Sequence, residues 1–339
     1  MIKISAVIAT RNRKDSLYRT LRALNNQTYK LQEVIIVDSS DDKIVDTELS
    51  TTFDGLNIKY FTSEPSVCVQ RNIGIRKSTS DHIFICDDDI EPEPEYVLAL
   101  SNFIESNSSV NAVSGLIMQK NENEEWVSQY PPKSSANLLF TLIFQLSIWG
   151  EVDEKVLSSF WIKPIIGFYK KRGNSLSFAG WPIITDFKNS FFKTNIYGLG
   201  ASIIKKELLL NNPFDEVLDQ YGIGDNYGIC ISIPGKVVVL TNTFVFHYKD
   251  SENRLDTTIA YYRRVLALHY FMKKSKRFNF VNTLWLIWSL IGSMILFVKN
   301  HQFKLARAAL KSIIAIVTFN NAYYTGSKKH IKNVCPNLN

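Results

Sequence analysis

The sequence predicts an α/β fold: a mostly parallel sheet flanked by helices, followed by a basic, apolar helical region. Three observations carry that expectation. Short apolar, β-branched runs alternate with segments of helical period over residues 3–118. Two of those runs end in carboxylates, at Asp38 and at Asp87–Asp89. Beyond residue 249 the carboxylates give way to Lys, Arg and long apolar stretches.

"KISAVIAT", residues 3–10, is dense in β-branched and apolar residues and reads as a buried strand. In "RKDSLYRTLRALNNQ", Leu17, Leu21 and Leu24 recur at helical spacing. "EVIIVDSSDD" is a second strand ending in Asp38, and "IKYFTS" a third, shorter one. "SVCVQRNIGIRKS" follows as a helix, with Gly74 as its weak point. "DHIFICDDD" is the fourth strand, "EPEYVLALSNFIES" the next helix, with a proline near its start, and "VNAVSGLIM" a further strand. From Asn121 to Ile196 the regularity breaks down. There "ANLLFTLIFQLSIWG" is apolar and aromatic, and "GFYKKRGNSLSFAGWPIITDF" is loop-rich. Regularity returns in "YGLGASIIKKELLL", in "PFDEVLDQYGIGDNYGICISIPGK" and in the strand-like "VVVLTNTFVFHY". In sheets built from such units, ligands bind beyond the carboxyl ends of the strands, where Asp38 and Asp87–Asp89 stand.

At 339 residues the chain is long enough for one α/β domain and an appendage. Cys68, Cys86, Cys230 and Cys335 are far apart and form no CxxC or His/Cys cluster, so buried thiols are expected rather than disulfides or zinc. The start, "MIKISAVIATRNR", lacks the pattern of a signal peptide, which predicts an amino-terminal part on the cytoplasmic side. From Asp250 onward 14 Lys/Arg face 3 Asp/Glu, a balance of +11, so the total of +7 leaves the rest of the chain at −4. A basic tail of this kind suits an anionic surface. Its charges are interleaved with long apolar runs, which points to membrane headgroups and away from nucleic acid.

Within the tail, Phe280 to Val298 is a run of nineteen uncharged residues, close to the roughly 20 that span a bilayer. Lys273, Lys274, Lys276 and Arg277 precede it and Lys299 follows. Lys304, Arg307 and Lys311 then share one helical face. The two-sided charge fits a helix pair lying on or dipping into the cytoplasmic leaflet. A single span and a buried core helix are the other readings.

Asp87, Asp88 and Asp89 stand side by side, and like charges so close disfavour each other's ionised form unless something neutralises them. A divalent cation accounts for the triplet best, because Mg²⁺ and Mn²⁺ take carboxylate oxygens together with substrate phosphates. A solvated acidic turn is the plain alternative. Asp38 can accept hydrogen bonds from a base or ribose, or simply cap its loop. Arg71 can grip a phosphate, or be a surface arginine.

The ordered set "VIATRNR", "IIVDSSDD", "QRNIGI", "IFICDDDIEPEP" and "FDEVLDQYGIGDNYG" resembles family 2 glycosyltransferases of the GT-A fold over about residues 3–248. The resemblance implies inverting transfer of a sugar from a nucleotide-diphosphate donor to an acceptor hydroxyl, assisted by Mg²⁺ or Mn²⁺. It places Thr10, Arg11 and Asn12 in the first nucleotide loop, Asp38 at the nucleobase, and Arg71 and Asn72 at the donor phosphates. Asp87 to Asp89 match the Asp-rich metal motif, with Asp89 binding the metal and Asp88 near both ribose and metal. His247 in "TFVFHYKD" would be a third ligand; the plain alternative is a structural histidine. The family's catalytic base usually comes from a Glu-Asp pair. Here "YGIGDNYG" departs from that pair, and Asp225 is the preferred base, with Asp219 and Asp186 in reserve and helix capping as its ordinary alternative. Trp181, Gly198 and Gly200 fall where an acceptor-side loop would lie.

The expected organisation is a GT-A domain over residues 1–248, with a nucleotide-sugar half at 1–118 and an acceptor half at 119–248. A membrane-associating helical region covers 249–339. The implied partners are a nucleotide-diphosphate-sugar donor, a glycan or lipid-linked acceptor of cell-surface biosynthesis, and the cytoplasmic membrane face. A nucleotidyltransferase is the competing enzyme, although "ATRNRKDS" lacks the glycine-rich loop that such enzymes carry. A non-catalytic nucleotide-sugar-binding relative is the competing binding module.

Overall fold

A computed structural model describes residues 2–44, 46–152, 160–218, 220–250 and 254–324. The nucleotide-side half alternates as read: β1 (Ile4–Thr10), α1 (Lys14–Asn25), β2 (Glu33–Asp38), α2 (Asp46–Thr52), β3 (Ile58–Thr62), α3 (Val67–Lys77), β4 (His82–Asp87), β5 (Ile90–Pro92), α4 (Tyr96–Ser106) and β6 (Ala112–Lys120). The irregular stretch holds β7 (Trp126–Val127), α5 (Ser135–Ile143), β8 (Ile148–Trp149), a 3-10 turn at Phe160–Ile162, α6 (Lys163–Arg172), β9 (Ser175–Leu176), β10 (Pro182–Ile184) and β11 (Phe191–Thr194). The rest comprises β12 (Ala201–Lys205), α7 (Lys206–Asn211), α8 (Asp225–Ser232), β13 (Val237–His247), α9 (Thr257–Lys274), α10 (Phe280–Lys299) and α11 (Phe303–Val317).

The main sheet runs β11-β13-β6-β12-β4-β1-β2-β3. The β4-β1-β2-β3 half is parallel, as is the β6–β13 pair, while β12 is antiparallel to both neighbours. β12 arrives from the long excursion after β6 rather than from a crossover helix, so nothing in the chain imposes the parallel direction on it. The parallel register brings Thr10, Asp38 and Asp87 to one edge, since Thr10 pairs with Asp38 and Ala9 with Asp87.

The period of two along β1 sorts its side chains between two cores. Ala6 and Ile8 join Leu17, Leu21, Tyr96 and Leu100 from α1 and α4 on one face. Val7 faces the other side with Cys68 and Ile75 of α3. Gly74, the weak point of α3, is where that helix presses on β1: a Cβ there would lie 2.4 Å from a Val7 methyl. Close packing therefore explains a glycine that helical propensity alone disfavours.

The C-terminal helices share this second core. Leu266 and Phe271 of α9, Leu286 and Leu290 of α10, and Ala308 and Ile316 of α11 join Val7, Ile35 and Ile85 of the sheet in one cluster. α10 is long and apolar enough to cross a membrane by length and composition. A satellite core of Leu138, Ile148, Ile162, Ile166, Tyr169 and Ile183 holds α5 and α6 together, in the region where the regular sequence pattern breaks down. Cys68, Cys86 and Cys230 are buried free thiols, and burial pushes the Cys230 thiol up to about 12; Cys335 lies outside the described residues.

Candidate active site

Beyond the carboxyl ends of β1 and β4 lies a cavity of about 720 Å³. Its floor is the acidic turn. Asp87 is the last residue of β4, and its N–H donates to the Gly200 carbonyl at 2.7 Å. Asp89 follows two residues later, its carbonyl accepting from the Tyr248 N–H at 3.0 Å beyond the end of β13. This brings Asp89 and His247 together, with Nε2 3.2 Å from Oδ1. Ligand atoms of Asp87, Asp89 and His247 lie within 4.8 Å of one another. Two carboxylates and an imidazole form an oxygen-rich set suited to a hard or borderline divalent cation. On the far side of the ring, His247 Nδ1 is 3.0 Å from the Gln119 amide, which can orient either tautomer.

Asp88 points elsewhere. Its carboxylate accepts from Thr10 Oγ1 at 2.7 Å and from Arg13 at 3.0 Å. The expectation of Asp88 and Asp89 as the paired ligands therefore changes: the gathered pair is Asp87 and Asp89, with Asp88 as the tie to β1. The chain turns at Asp88 and Asp89 directly after β4, which sets Asp89 beside Asp87 and leaves Asp88 tied to Thr10 and Arg13. Burial pushes the Asp88 carboxyl up to about 6 against the pull of Arg13. Burial also opposes ionisation of Asp89, but His247, Arg13 and Arg254 outweigh it and hold that carboxyl well below its usual range.

Arg71, on α3, is buried and ion-paired with Asp87 at 2.5 Å and with Asp225. These two carboxylates outweigh the cost of burial and raise its already high pKa. Asp225 is the first residue of α8, 9 % exposed, and its Oδ1 accepts the Asn226 N–H at 2.6 Å. One guanidinium thus spans the acidic turn and the residue expected to act as base. Both line the cavity.

The other expected site residues divide. Thr10 and Arg11 line the cavity, and Arg11 reaches Gln220 at 3.2 Å. Asn12 is in the left-handed region at φ 52° and clamps the loop after β1 to the loop after β2, through Ser40 at 2.7 Å and Asp41 at 2.7 and 2.9 Å. Asp38 is fully buried, with its oxygens taken by the Ser40 N–H at 2.7 Å and the Tyr60 hydroxyl at 2.6 Å, and it does not line the cavity. Asn72 turns from the cavity and latches the Phe214 backbone, at 2.8 and 2.9 Å. Successive helical residues step by roughly 100°, so Gln70, Arg71 and Asn72 face three directions. Gln70 holds the ends of β1 and β2, at 2.8 and 2.7 Å. Asp186 sits in a turn outside the cavity, and Asp219 lies outside the described residues.

Trp181 and Gly198 line the cavity, and Trp149 stacks on Tyr197 there at 5.2 Å, giving an aromatic wall. Gly200 has a different part from the expected acceptor loop. A Cβ on it would lie 1.9 Å from Asp87 Oδ2, so its bare backbone makes room for that carboxylate. Gly200→Ala is expected to displace Asp87 and to cut turnover by about 10²-fold while raising the Mn²⁺ concentration needed for half-maximal rate. A metal titration of the purified variant checks this, and a wild-type titration curve would remove Asp87 from the site.

Sequence reading missed Arg13, Arg254 and the α9 wall. Arg13 stood inside the quoted "VIATRNR" and was passed over. Arg254 reaches Asp89 at 2.6 Å from far along the chain. Ala260, Arg264 and Leu268 line the cavity from α9 at a four-residue spacing, the one signal that could have shown a common face.

Residues 5–160 match the model of Glycosyl transferase family 2. Chondroitin synthase of Escherichia coli is 25% identical over 228 residues, 66% of this chain and 31% of that protein. The chain spans between about a third and a half of the length of the curated relatives it matches. Among solved structures, Staphylococcus aureus TarS 1-349 in complex with UDP superposes with a TM-score of 0.53 at 12% identity, covering 98% of this chain and 92% of that one. GalNAc-T7 with UDP, GalNAc and Mn²⁺ gives 0.56 at 15% identity over 86% of this chain and 55% of that one. The architecture is the GT-A fold. The family model is matched across β1 to β8, and the acidic turn stands at the sheet edge that this fold opens to ligands: residues 5–160 carry the sequence pattern of glycosyltransferase family 2.

Proposed function

We propose that the chain transfers a sugar from a nucleotide-diphosphate-sugar to an acceptor hydroxyl with inversion, using a divalent cation held by Asp87, Asp89 and His247. The observation that carries this reading is the shared cavity: the acidic cluster and Asp225 open onto one space and are joined through Arg71. When bound, the cation supplies Lewis-acid stabilisation of the leaving diphosphate. Asp225 takes the proton of the acceptor hydroxyl. The new bond to the anomeric carbon then forms on the side opposite the nucleotide diphosphate, whose bond to that carbon breaks. Arg71 pairs with Asp225 and holds it in place. Trp149, Trp181 and Tyr197 offer ring faces to the sugars. A nitrogen in the ligand set favours Mn²⁺ over Mg²⁺. The acceptor is a glycan or lipid-linked molecule of surface polysaccharide synthesis at the cytoplasmic membrane face. The likeness to a chondroitin synthase and the basic, apolar C-terminal helices support that context.

A thermal-shift panel of nucleoside diphosphates with Mn²⁺ tests the reading, with UDP first because the TarS and GalNAc-T7 structures hold it. One nucleotide is expected to raise the melting temperature by several degrees and to lose that effect with a chelator. Ligand at about a hundred times its Kd adds about 2.7 kcal/mol. No shift with any nucleotide diphosphate in the presence of Mn²⁺ would overturn it.

A further inference from the structure

An exposed apolar face joins three segments that are distant in sequence. Trp288 of α10 donates to the Ile143 carbonyl at 2.8 Å and stacks on Phe144 at 4.9 Å, beside α5. Asn282 donates to the Phe178 carbonyl at 2.9 Å, and Trp285 lies 5.7 Å from the Phe178 ring. Arg172, at the end of α6, sits over Phe178 at 4.7 Å and Phe168 at 5.6 Å. The contacts are continuous, yet Ile143, Phe178, Leu284 and Trp288 remain 40–49% exposed. Leu284, Trp288 and Ile295 follow one side of α10. Phe160 and Trp161, at the entry to α6, are 73 and 84% exposed. Contiguous bulky apolar surface of this kind marks an interaction site.

Charge identifies the occupant. The segments that build this face, residues 131–150, 160–185 and 280–299, hold six Lys/Arg and no Asp or Glu. A two-fold contact with a second copy would set that positive surface against itself. An anionic headgroup layer complements it, with aromatic rings and long cationic side chains at the level where interfacial proteins place them. α10 also has an inner side: Leu286, Ser289 and Leu290 are fully buried. A helix covered by protein along one side and bare along the other suits the plane of a leaflet.

We propose that this face, built from α5, the 160–178 segment and the outer side of α10, lies on a leaflet of anionic phospholipid. It sharpens the membrane-face reading above and is independent of the transferase chemistry. The face adjoins the cavity. Ile143 is four residues from the cavity-lining Ser147, and Phe178 three from Trp181. The Trp181 indole donates to Ser289 on the inner side of α10 at 2.9 Å.

The test is co-sedimentation of the full chain with vesicles of phosphatidylcholine, with and without phosphatidylglycerol. The anionic vesicles should bind the protein, and Ile143→Glu/Leu284→Glu should lower the partition coefficient by about tenfold or more. Brominated lipid should quench the tryptophan emission, and the quenching should fall in Trp161→Phe/Trp288→Phe, which keeps the apolar surface. An unchanged melting temperature in these variants shows that they fold. No vesicle binding, or binding indifferent to the Glu substitutions and to bromine, overturns the proposal. A concentration-dependent dimer that the Glu substitutions dissociate, without vesicle binding, gives the face to a second copy and overturns it equally. The vesicle assay contains no nucleotide and the nucleotide panel contains no vesicle, so the failure of either reading is seen separately.

Discussion

Asp89→Ala is expected to lower donor turnover by at least about 10²–10³-fold, to the level of the wild-type protein in excess chelator. Asp89 gathers three partners from distant parts of the chain. His247 from β13 lies at 3.2 Å, Arg254 at 2.6 Å and Arg13 at 3.5 Å. Removing it deprives the cluster of one of its two carboxylates and takes a partner from Arg13, which keeps Asp88, and from Arg254, whose side chain is 36% exposed. The variant therefore also loses stability, by about 1.5–3 kcal/mol for lost hydrogen bonds to a charged group. Turnover must be compared at a temperature where both proteins are folded. Full wild-type turnover with chelator present would sink the metal reading, whatever the variant does.

Asp225→Asn separates the two explanations of that residue. As a proton acceptor, Asp225 should be irreplaceable by an amide: kcat should fall by about 10²–10⁴-fold while donor binding changes by no more than a few-fold. As a structural residue at the start of α8 it should be replaceable, because asparagine serves a helix terminus as well as aspartate does. The amide keeps one oxygen for the Asn226 N–H, which Oδ1 accepts at 2.6 Å, but sets its NH2 against Arg71, now paired with Oδ2, so the melting temperature of the variant is compared as well. Single-turnover transfer alongside a donor titration gives both quantities. Near-wild-type transfer would move the base to another residue.

The strand-end carboxylates were legible because an uninterrupted apolar run fixes where a strand stops, and the parallel register then fixes which ends meet. The choice among Asp87, Asp88 and Asp89 was not legible, since the strand's period of two stops at Asp87 and the chain turns over the next two residues. Asn72 and Asp38 are held by partners that local sequence shows only in part: Asp38 caps Ser40 two residues on, while its other partner and those of Asn72 are distant. Asn72 meets Phe214, 142 residues on, and the Tyr60 hydroxyl that occupies Asp38 comes from β3. Local sequence shows a polar side chain but not whether the fold has already used it. α5 and α6 escaped notice because their apolar residues serve a small satellite core and an exposed face together, which blurs the helical period.

The C-terminal helices have a practical consequence. Leu286 and Leu290 lie in the same core as the sheet beneath the cavity, and the Asn321 amide donates to the Leu266 carbonyl of α9 at 2.8 Å. Shortening the chain at residue 278 would strip the core under α9 and slacken the wall that carries Arg264. Solubility is better sought by recolouring the outer side of α10 with polar residues at 284 and 295, which are nearly half exposed, leaving Trp288 to hold Ile143 and Phe144.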